Sequence, residues 1–419
     1  MSRGPQKSTG AQGRRLQPPG DMARATRRRN QLARKARIRR QRLLIGSVVG
    51  VIALCGALVA AALSGRLPFA FFKRATKAPA GAVALPARAA ATSKEATADV
   101  AMPVYTITFD VSETPGANVT PEKLTLPVGS APDKLPYASL EDKRFTGWYT
   151  GPQNDEQATC VDNSTLSLIS TSTATTLYAR FEASPQGVDY KVRGLPVLMY
   201  HDFYDPAQGK PKNSLYPADC LSIKTFDDQL AWLRENDYYF PDWTEVQAFT
   251  QGKILLPKES IVLTADDGSA NFFKLAIPEV ERYQAHITGF LIGDRIASDG
   301  IDLASYDPRY VTFESHSYGL HVGNSKGDGL ITTISEDKIK ADIEAEARVI
   351  GPNSVFCYPF GRRGRDYSKR EEELLADNGY SLAFTVSPGR VYPGLNPMAL
   401  PRMRVSAPCT METFRALAR

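Results

Sequence analysis

Five short apolar runs constrain this chain more than any other feature. They are Val197–Tyr200, Ile261–Thr264, Tyr310–Phe313, Val355–Tyr358 and Leu382–Val386, each followed by a segment with helical spacing. Thr225 with Asp228 opens a helix that carries Phe226, Leu230 and Leu233. Ser335 begins another, running through Ile339, Ile343, Ala347 and Ile350 to Gly351. Ser368–Asn378 is a third, stopped by Gly379. Alternating β and α segments require parallel strands joined by right-handed crossovers. Residues 190–419 therefore read as a barrel-like or doubly wound α/β domain.

The polar residues fall where such a fold builds its sites, at the C-terminal ends of the strands. Ser260–Gly268 (SIVLTADDG) ends a β-branched run in two adjacent carboxylates, Asp266 and Asp267. His201 and Asp202 follow VLMY; Glu314, His316 and His321 follow YVTF; Pro359, Phe360 and Gly361 follow VFCY. The chain has four histidines, and three of them lie at strand ends. His316 and His321 are five residues apart. On a helix that spacing turns them about 140° from each other, so they share a ligand only from a loop, which Gly319 allows. Two imidazoles and one carboxylate form a three-ligand set for Zn²⁺ or a similar ion, with a position open for water. The second carboxylate is then free as a general base. The plainer alternative is one loop histidine and one core histidine.

The first half of the chain has a different texture. Residues 1–42 carry fourteen Lys/Arg and one acid, Asp21, in a chain of net charge +6. Residues 43–64 carry no charge and are long enough to span a bilayer core of roughly 30 Å. Arg37, Arg39, Arg40 and Arg42 precede them, so the positive-inside rule places the N-terminus in the cytoplasm and the bulk of the chain outside. The expectation is a single-pass cell-membrane protein with an extracellular catalytic domain. Its basic cytoplasmic tail would meet anionic lipid headgroups rather than nucleic acid. A cleaved signal peptide, with Ala60-Ala61-Ala62 at the cleavage site, is the rival reading. Residues 65–103, rich in Ala, Pro and Thr, read as a linker. Four cysteines beyond the span are scattered without C-x-x-C spacing. That excludes a thiolate zinc site and leaves Cys220–Cys409 as the one disulfide guess.

Residues 104–183 alternate in short stretches: Tyr105–Phe109, Leu124–Val128, Phe145–Thr150, Leu166–Ile169 and Thr176–Phe181. They predict a small, mostly-β module. The pattern ITF…LPVG…FTGWYT…TLYARF resembles the internalin B-repeat (Listeria–Bacteroides repeat), which implies a β-grasp-like fold with a spacer or adhesive role. Trp148 reads as core rather than as a sugar platform.

Residues 190–419 resemble the polysaccharide deacetylase family (carbohydrate esterase family four, the NodB-homology domain), in its poly-N-acetylglucosamine deacetylase-like branch. Leu263–Gly268 matches the first motif, Ser315–His321 looks like the five-spaced form of the second, and Phe356–Gly361 matches the third. Pro196–His201 resembles the entry strand of that branch. The resemblance implies a distorted (β/α) barrel of about seven strands, preceded here by a transmembrane helix and the β module. It implies Asp267, His316 and His321 as metal ligands, with zinc first and cobalt, nickel or manganese also accommodated. Asp266 becomes the base, metal-bound water the nucleophile, and the Phe360 N–H an oxyanion donor. Tyr358, Pro359, Phe360 and Gly361 become the substrate-binding segment.

Two departures stand out. Cys357 sits where the family often has an arginine that orients the base. The family's late histidine, which protonates the leaving amine, is also missing, because the corresponding strand reads Ala399–Val405 (ALPRMRV). Arginine does not donate a proton at neutral pH. The branch supplies its acid from an early position, which implies His201; hydrogen bonding to a neighbour is that residue's plainer role. His286 reads as structural. The expected function is metal-dependent removal of N-acetyl groups from an extracellular or cell-wall amino-sugar polymer. The alternatives are an O-acetyl esterase of a surface glycan, or a catalytically degenerate glycan-binding or adhesive protein.

Overall fold

A computed structural model describes residues 103–166, 169–211 and 217–419. The basic tail, the span at 43–64 and nearly all of the linker lie outside the described residues, as do Ser167 and Leu168 of one expected strand. Among the described residues no helix is long and apolar enough to cross a membrane.

The first module is a five-stranded mixed sheet. Its strands are β1 (Val104–Asp110), β2 (Lys123–Pro127), β3 (Lys143–Tyr149), β4 (Cys160–Val161) and β5 (Thr175–Ala183), in the order β2-β1-β5-β3-β4. Strand β1 alternates buried and half-exposed positions, as a sheet with one covered face must. Trp148 is in the core. It packs on Phe109 and Phe145, and its Nε1 donates to the Pro136 carbonyl at 2.7 Å.

Strand β6 (Val197–Tyr200) opens the second module. A short parallel pair follows, β7 (Asp202–Tyr204) with β8 (Cys220–Ser222), then helices α1 (Ile223–Glu235) and α2 (Trp243–Thr250). The chain continues through β9 (Val262–Asp267), α3 (Ile277–Arg282), β10 (Ile287–Leu291), α4 (Gly293–Asp299) and β11 (Val311–Ser315). It ends with α5 (Glu336–Ile350), β12 (Val355–Cys357), α6 (Lys369–Asp377), β13 (Leu382–Pro388), β14 (Leu400–Arg404) and α7 (Met411–Ala418). Strands β6 and β9–β14 close into a seven-stranded barrel in which every pairing is parallel. All seven C-terminal strand ends therefore share one rim.

Local sequence explains the helix ends. Ser222, three residues before the expected Thr225, caps α1 by accepting the Thr225 N–H. Ser368 and Glu371 form a capping box at α6, and Gly351 ends α5 at φ +84°. Each such N-cap contributes about 1 kcal/mol.

The barrel interior obeys a strict parity. Val262, Phe290, Val355, Cys357, Leu382, Phe384 and Leu400 meet inside, while Leu198, Leu263, Ala265 and Met403 pack outward against helices. Helix α2 closes the base, with the Trp243 ring 5.3 Å from Phe384 and 6.1 Å from Phe290. The β module docks on that base and shares its apolar cluster. The Phe145 N–H donates to the Lys253 carbonyl at 2.7 Å, and the Leu255 N–H donates back to Phe145 at 3.0 Å. Lys134 pairs with Asp242 and Glu245 at the start of α2, and buried Arg144 reaches Asp189 at 2.9 Å. The module is thus built into the barrel's base. The four cysteines of the described chain are free, which corrects the Cys220–Cys409 guess: Cys220 lies beside Asp202, and Cys409 faces its own neighbour Thr410.

Candidate active site

Strand β9 delivers the two carboxylates by different means. Asp266 has the same parity as Val262 and Thr264 and points into the barrel. Asp267, by parity, belongs on the outside. It adopts φ +74°, a left-handed backbone, which turns it back over the rim. Ser317 (φ +69°) and Phe360 (φ +61°) repeat the device just beyond β11 and β12. Each such non-glycine residue costs about 1–3 kcal/mol and persists only where its surroundings hold it. Arg295 Nη1 holds the Asp267 carbonyl at 2.9 Å.

Asp267, His316 and His321 converge. Asp267 Oδ1 lies 3.4 Å from Nε2 of each histidine, is buried, and has no hydrogen-bond partner. The Cys357 carbonyl, 2.7 Å from His316 Nδ1, only accepts. Nδ1 therefore carries a hydrogen, so a deprotonated His316 would turn its Nε2 lone pair toward Asp267, the orientation ligating histidines take. The His321 ring packs against Phe360 at 4.5 Å.

The donor set fits a small divalent ion. Tetrahedral ligands held at about 2.0–2.1 Å stand about 3.4 Å apart, which matches the 3.4 Å from Asp267 Oδ1 to Nε2 of each histidine. The electrostatics agree. Burial opposes charge on His316, but Cys357 and Asp267 outweigh it and push its pKa well above the usual histidine range. Burial and the neighbouring His316 lower His321 to about 4. Without an ion, these shifts favour a proton on His316. A bound ion must displace that proton, so binding tightens as pH rises. The expected gain is roughly tenfold per pH unit between pH 6 and 8, measured by competition titration with a chromogenic chelator.

Asp266 has a partner that sequence reasoning missed. Arg402 on β14 is fully buried and grips the carboxylate with both ends of its fork, Nη1 to Oδ1 and Nη2 to Oδ2, each at 2.7 Å. Its remaining donors go to the Thr385 carbonyl at 3.0 Å, Thr264 Oγ1 at 3.1 Å and Cys357 Sγ at 2.9 Å. Burial alone would raise the Asp266 carboxyl. Arg402, with His201 and His316, instead holds it well below the usual carboxylate range. The orienting arginine expected near Cys357 therefore comes from β14, and the Cys357 thiol occupies the space between the two side chains. The sequence carried one signal: Arg402 has core parity in β14, and a core arginine requires a carboxylate.

His201 follows β6 with inward parity, and its Nε2 lies 4.0 Å from Asp266 Oδ2. The third-motif segment divides. Phe360 reaches the site, and Gly361 permits its turn: at φ +63° a Cβ there would meet the Val386 nitrogen at 2.9 Å. Pro359 accepts the Gly361 N–H at 2.7 Å across that turn. Tyr358 departs from the expected substrate-binding role. Its ring stacks on Tyr367 at 4.0 Å outside the barrel, and its hydroxyl donates to the Met398 carbonyl. The parity that puts Cys357 inside sends Tyr358 out. Glu314 stays off the site and accepts the Ser354 and Val355 N–H groups. His286 precedes β10 and lies at the opposite end of the barrel. There it lines a cavity of about 800 Å³ with Tyr239, Trp243 and Tyr310.

Residues 254–383 match the profile of the family described as Polysaccharide deacetylase. The poly-beta-1,6-N-acetyl-D-glucosamine N-deacetylase of Staphylococcus epidermidis is 26% identical over 201 residues, covering 44% of this chain and 68% of that protein. The protein of the same name from Staphylococcus aureus is 23% identical over 249 residues, covering 53% of this chain and 82% of the other. Among solved structures, the Streptococcus pyogenes deacetylase PplD in complex with acetate aligns with a TM-score of 0.45 at 21% identity, over 54% of this chain and 99% of that one. The stretch that places Asp266, Asp267, His316 and His321 on the barrel's rim, residues 254–383, is the part of the chain that matches the polysaccharide deacetylase family.

Proposed function

We propose that this protein hydrolyses the N-acetyl groups of an amino-sugar polysaccharide. The observation that carries this reading is the division of labour in β9. One carboxylate oxygen is unpartnered between two imidazole nitrogens, and the adjacent carboxylate is locked by Arg402 at the edge of the same space. The names of the staphylococcal relatives support the substrate class.

Asp267, His316 and His321 would hold a divalent ion, with zinc first and cobalt, nickel or manganese next, because imidazole and carboxylate suit all four. When bound, such an ion acidifies the attacking water and polarises the acetamide carbonyl. Asp266 accepts the water's proton as the new carbon–oxygen bond forms. A carboxylate held this low is a weak base, so its contribution comes from fixed position in a dry site rather than from basicity. Arg402 keeps it from rotating toward the ion. His201, 4.0 Å from Asp266, delivers a proton to the departing amine nitrogen. The carbon–nitrogen bond then breaks to give acetate and a free amine. Phe360 forms one wall of the acetyl site and offers its N–H to the developing oxyanion.

Exposed amines would make the polymer cationic. Residues 43–64 would anchor the chain in the cell membrane with the catalytic domain outside. Protease treatment of intact cells tests that placement, and a protected catalytic domain would refute it. The activity test is acetate release from β-1,6-linked N-acetylglucosamine oligomers and from acetylated chito-oligosaccharides. Chelation is expected to abolish release and re-addition of zinc to restore it. A protein that binds the ion and frees no acetate overturns the reading. An O-acetyl esterase would instead cleave acetylated xylan and leave both amides intact. A degenerate, non-catalytic protein is disfavoured because Arg402 supplies an orienting arginine for Asp266.

A further inference from the structure

His316 and His321 meet Asp267 only because the four residues between them turn sharply, and helix α5 grips the middle of that turn. Asp342 Oδ2 accepts the Tyr318 N–H at 2.9 Å, and Oδ1 accepts the Gly319 N–H at 2.8 Å. One helical turn on, Glu346 faces the same way. It is fully buried, with neither carboxyl oxygen hydrogen-bonded. It lies against Gly293, where a Cβ would collide with Glu346 Oε2 and with the Tyr318 ring. Helix α4 holds the turn from the other side: the Gly293 N–H donates to the Ser317 carbonyl at 3.2 Å and the Asp294 N–H to the Tyr318 carbonyl at 3.0 Å. Within the turn, the Leu320 N–H donates to Ser317 Oγ.

We propose that Asp342 is a positioning residue for the ion site. By binding two successive amides it fixes the turn that brings both imidazoles onto Asp267, with Glu346 wedging α5 beneath the same turn. The inference rests on the reading of Asp267, His316 and His321 as an ion site. A loop released from Asp342 samples many conformations, and the ion must then order it on binding. Part of the binding free energy is lost, although no ligand has changed.

The test is zinc affinity by competition with a chelator, on the full-length protein, for wild type, Asp342→Ala and Asp342→Asn. Asp342→Ala is expected to bind zinc about 10- to 100-fold more weakly, the range found when residues supporting ligands are removed. Asp342→Asn keeps one acceptor and is expected to fall between; it carries the test if the alanine variant does not fold. At saturating zinc, kcat for acetate release is expected to return to within a few-fold of wild type with KM unchanged. Wild-type zinc affinity in a folded Asp342→Ala protein overturns the proposal, as does a kcat deficit that excess zinc does not repair. A wild-type chain that binds no divalent ion overturns this inference. One that binds zinc yet frees no acetate overturns only the deacetylase reading.

Discussion

An Asp266→Asn protein is expected to keep its divalent ion and to release acetate about 100- to 10,000-fold more slowly. The substitution leaves Asp267, His316 and His321 untouched, so zinc affinity by chelator competition should stay within a few-fold of wild type. The amide oxygen still accepts from one arm of Arg402, and the side chain keeps its shape. What disappears is the capacity to take a proton. Loss in kcat with little change in KM is the expected signature, because the base acts in the transition state rather than in substrate binding. Parallel losses of zinc and activity would show that Asp266 belongs to the ion site and would move the base elsewhere. Asp267→Asn supplies the contrast, since it should lose zinc first and activity as a consequence.

Arg402→Met is expected to destabilise the protein by about 3–5 kcal/mol at pH 7, the cost of leaving one member of a buried ion pair alone. Asp266 would then be buried without its counter-charge, and desolvation would raise its pKa rather than lower it. In wild type, the depressed Asp266 pKa contributes stability that is present above the ordinary carboxylate pKa and lost as pH falls through the folded value. The deficit of Arg402→Met should therefore shrink toward acid pH, where the variant's Asp266 accepts a proton. The sharper check is the double variant Asp266→Asn with Arg402→Met. Removing both charges should cost less than removing the arginine alone. Thermal melts of the four proteins at pH 7 and pH 5 decide the matter. An Arg402→Met protein as stable as wild type would mean that the pair carries no net coupling.

The rim of the barrel was legible from the chain because β-strands that end in charge leave an unmistakable pattern. The runs before His201, Asp266, His316 and Pro359 became strands within three residues of their expected limits. Strand β10 was harder to see. Its five buried residues, ITGFL, end in no charge, and a short apolar run reads equally as helix. Arg402 was visible as a residue and invisible as a partner. Its grip on Asp266 spans 136 positions and depends on barrel closure, which brings β14 beside β6. Tyr358 was misplaced because its motif was treated as a unit, while strand parity splits it into inward and outward members. The docking of the β module was missed for a related reason. Lys134 and Phe145 look like ordinary surface and core residues of an independent unit, and only the fold reveals that Asp242, Glu245 and Lys253 complete them.

That docking has a practical consequence for handling the protein. The module enters at the base of the barrel, and the C-terminus finishes there too. The Ala418 carbonyl accepts from Tyr238 and Arg193, and the Arg419 carbonyl also accepts from Arg193, beside the segments that lead into β6 and β9. The C-terminal end of the chain therefore leaves from the face opposite the catalytic rim. A bead or dye coupled to the C-terminus would sit behind the enzyme, and the mouth that meets the polymer would look outward, unshadowed by its own support.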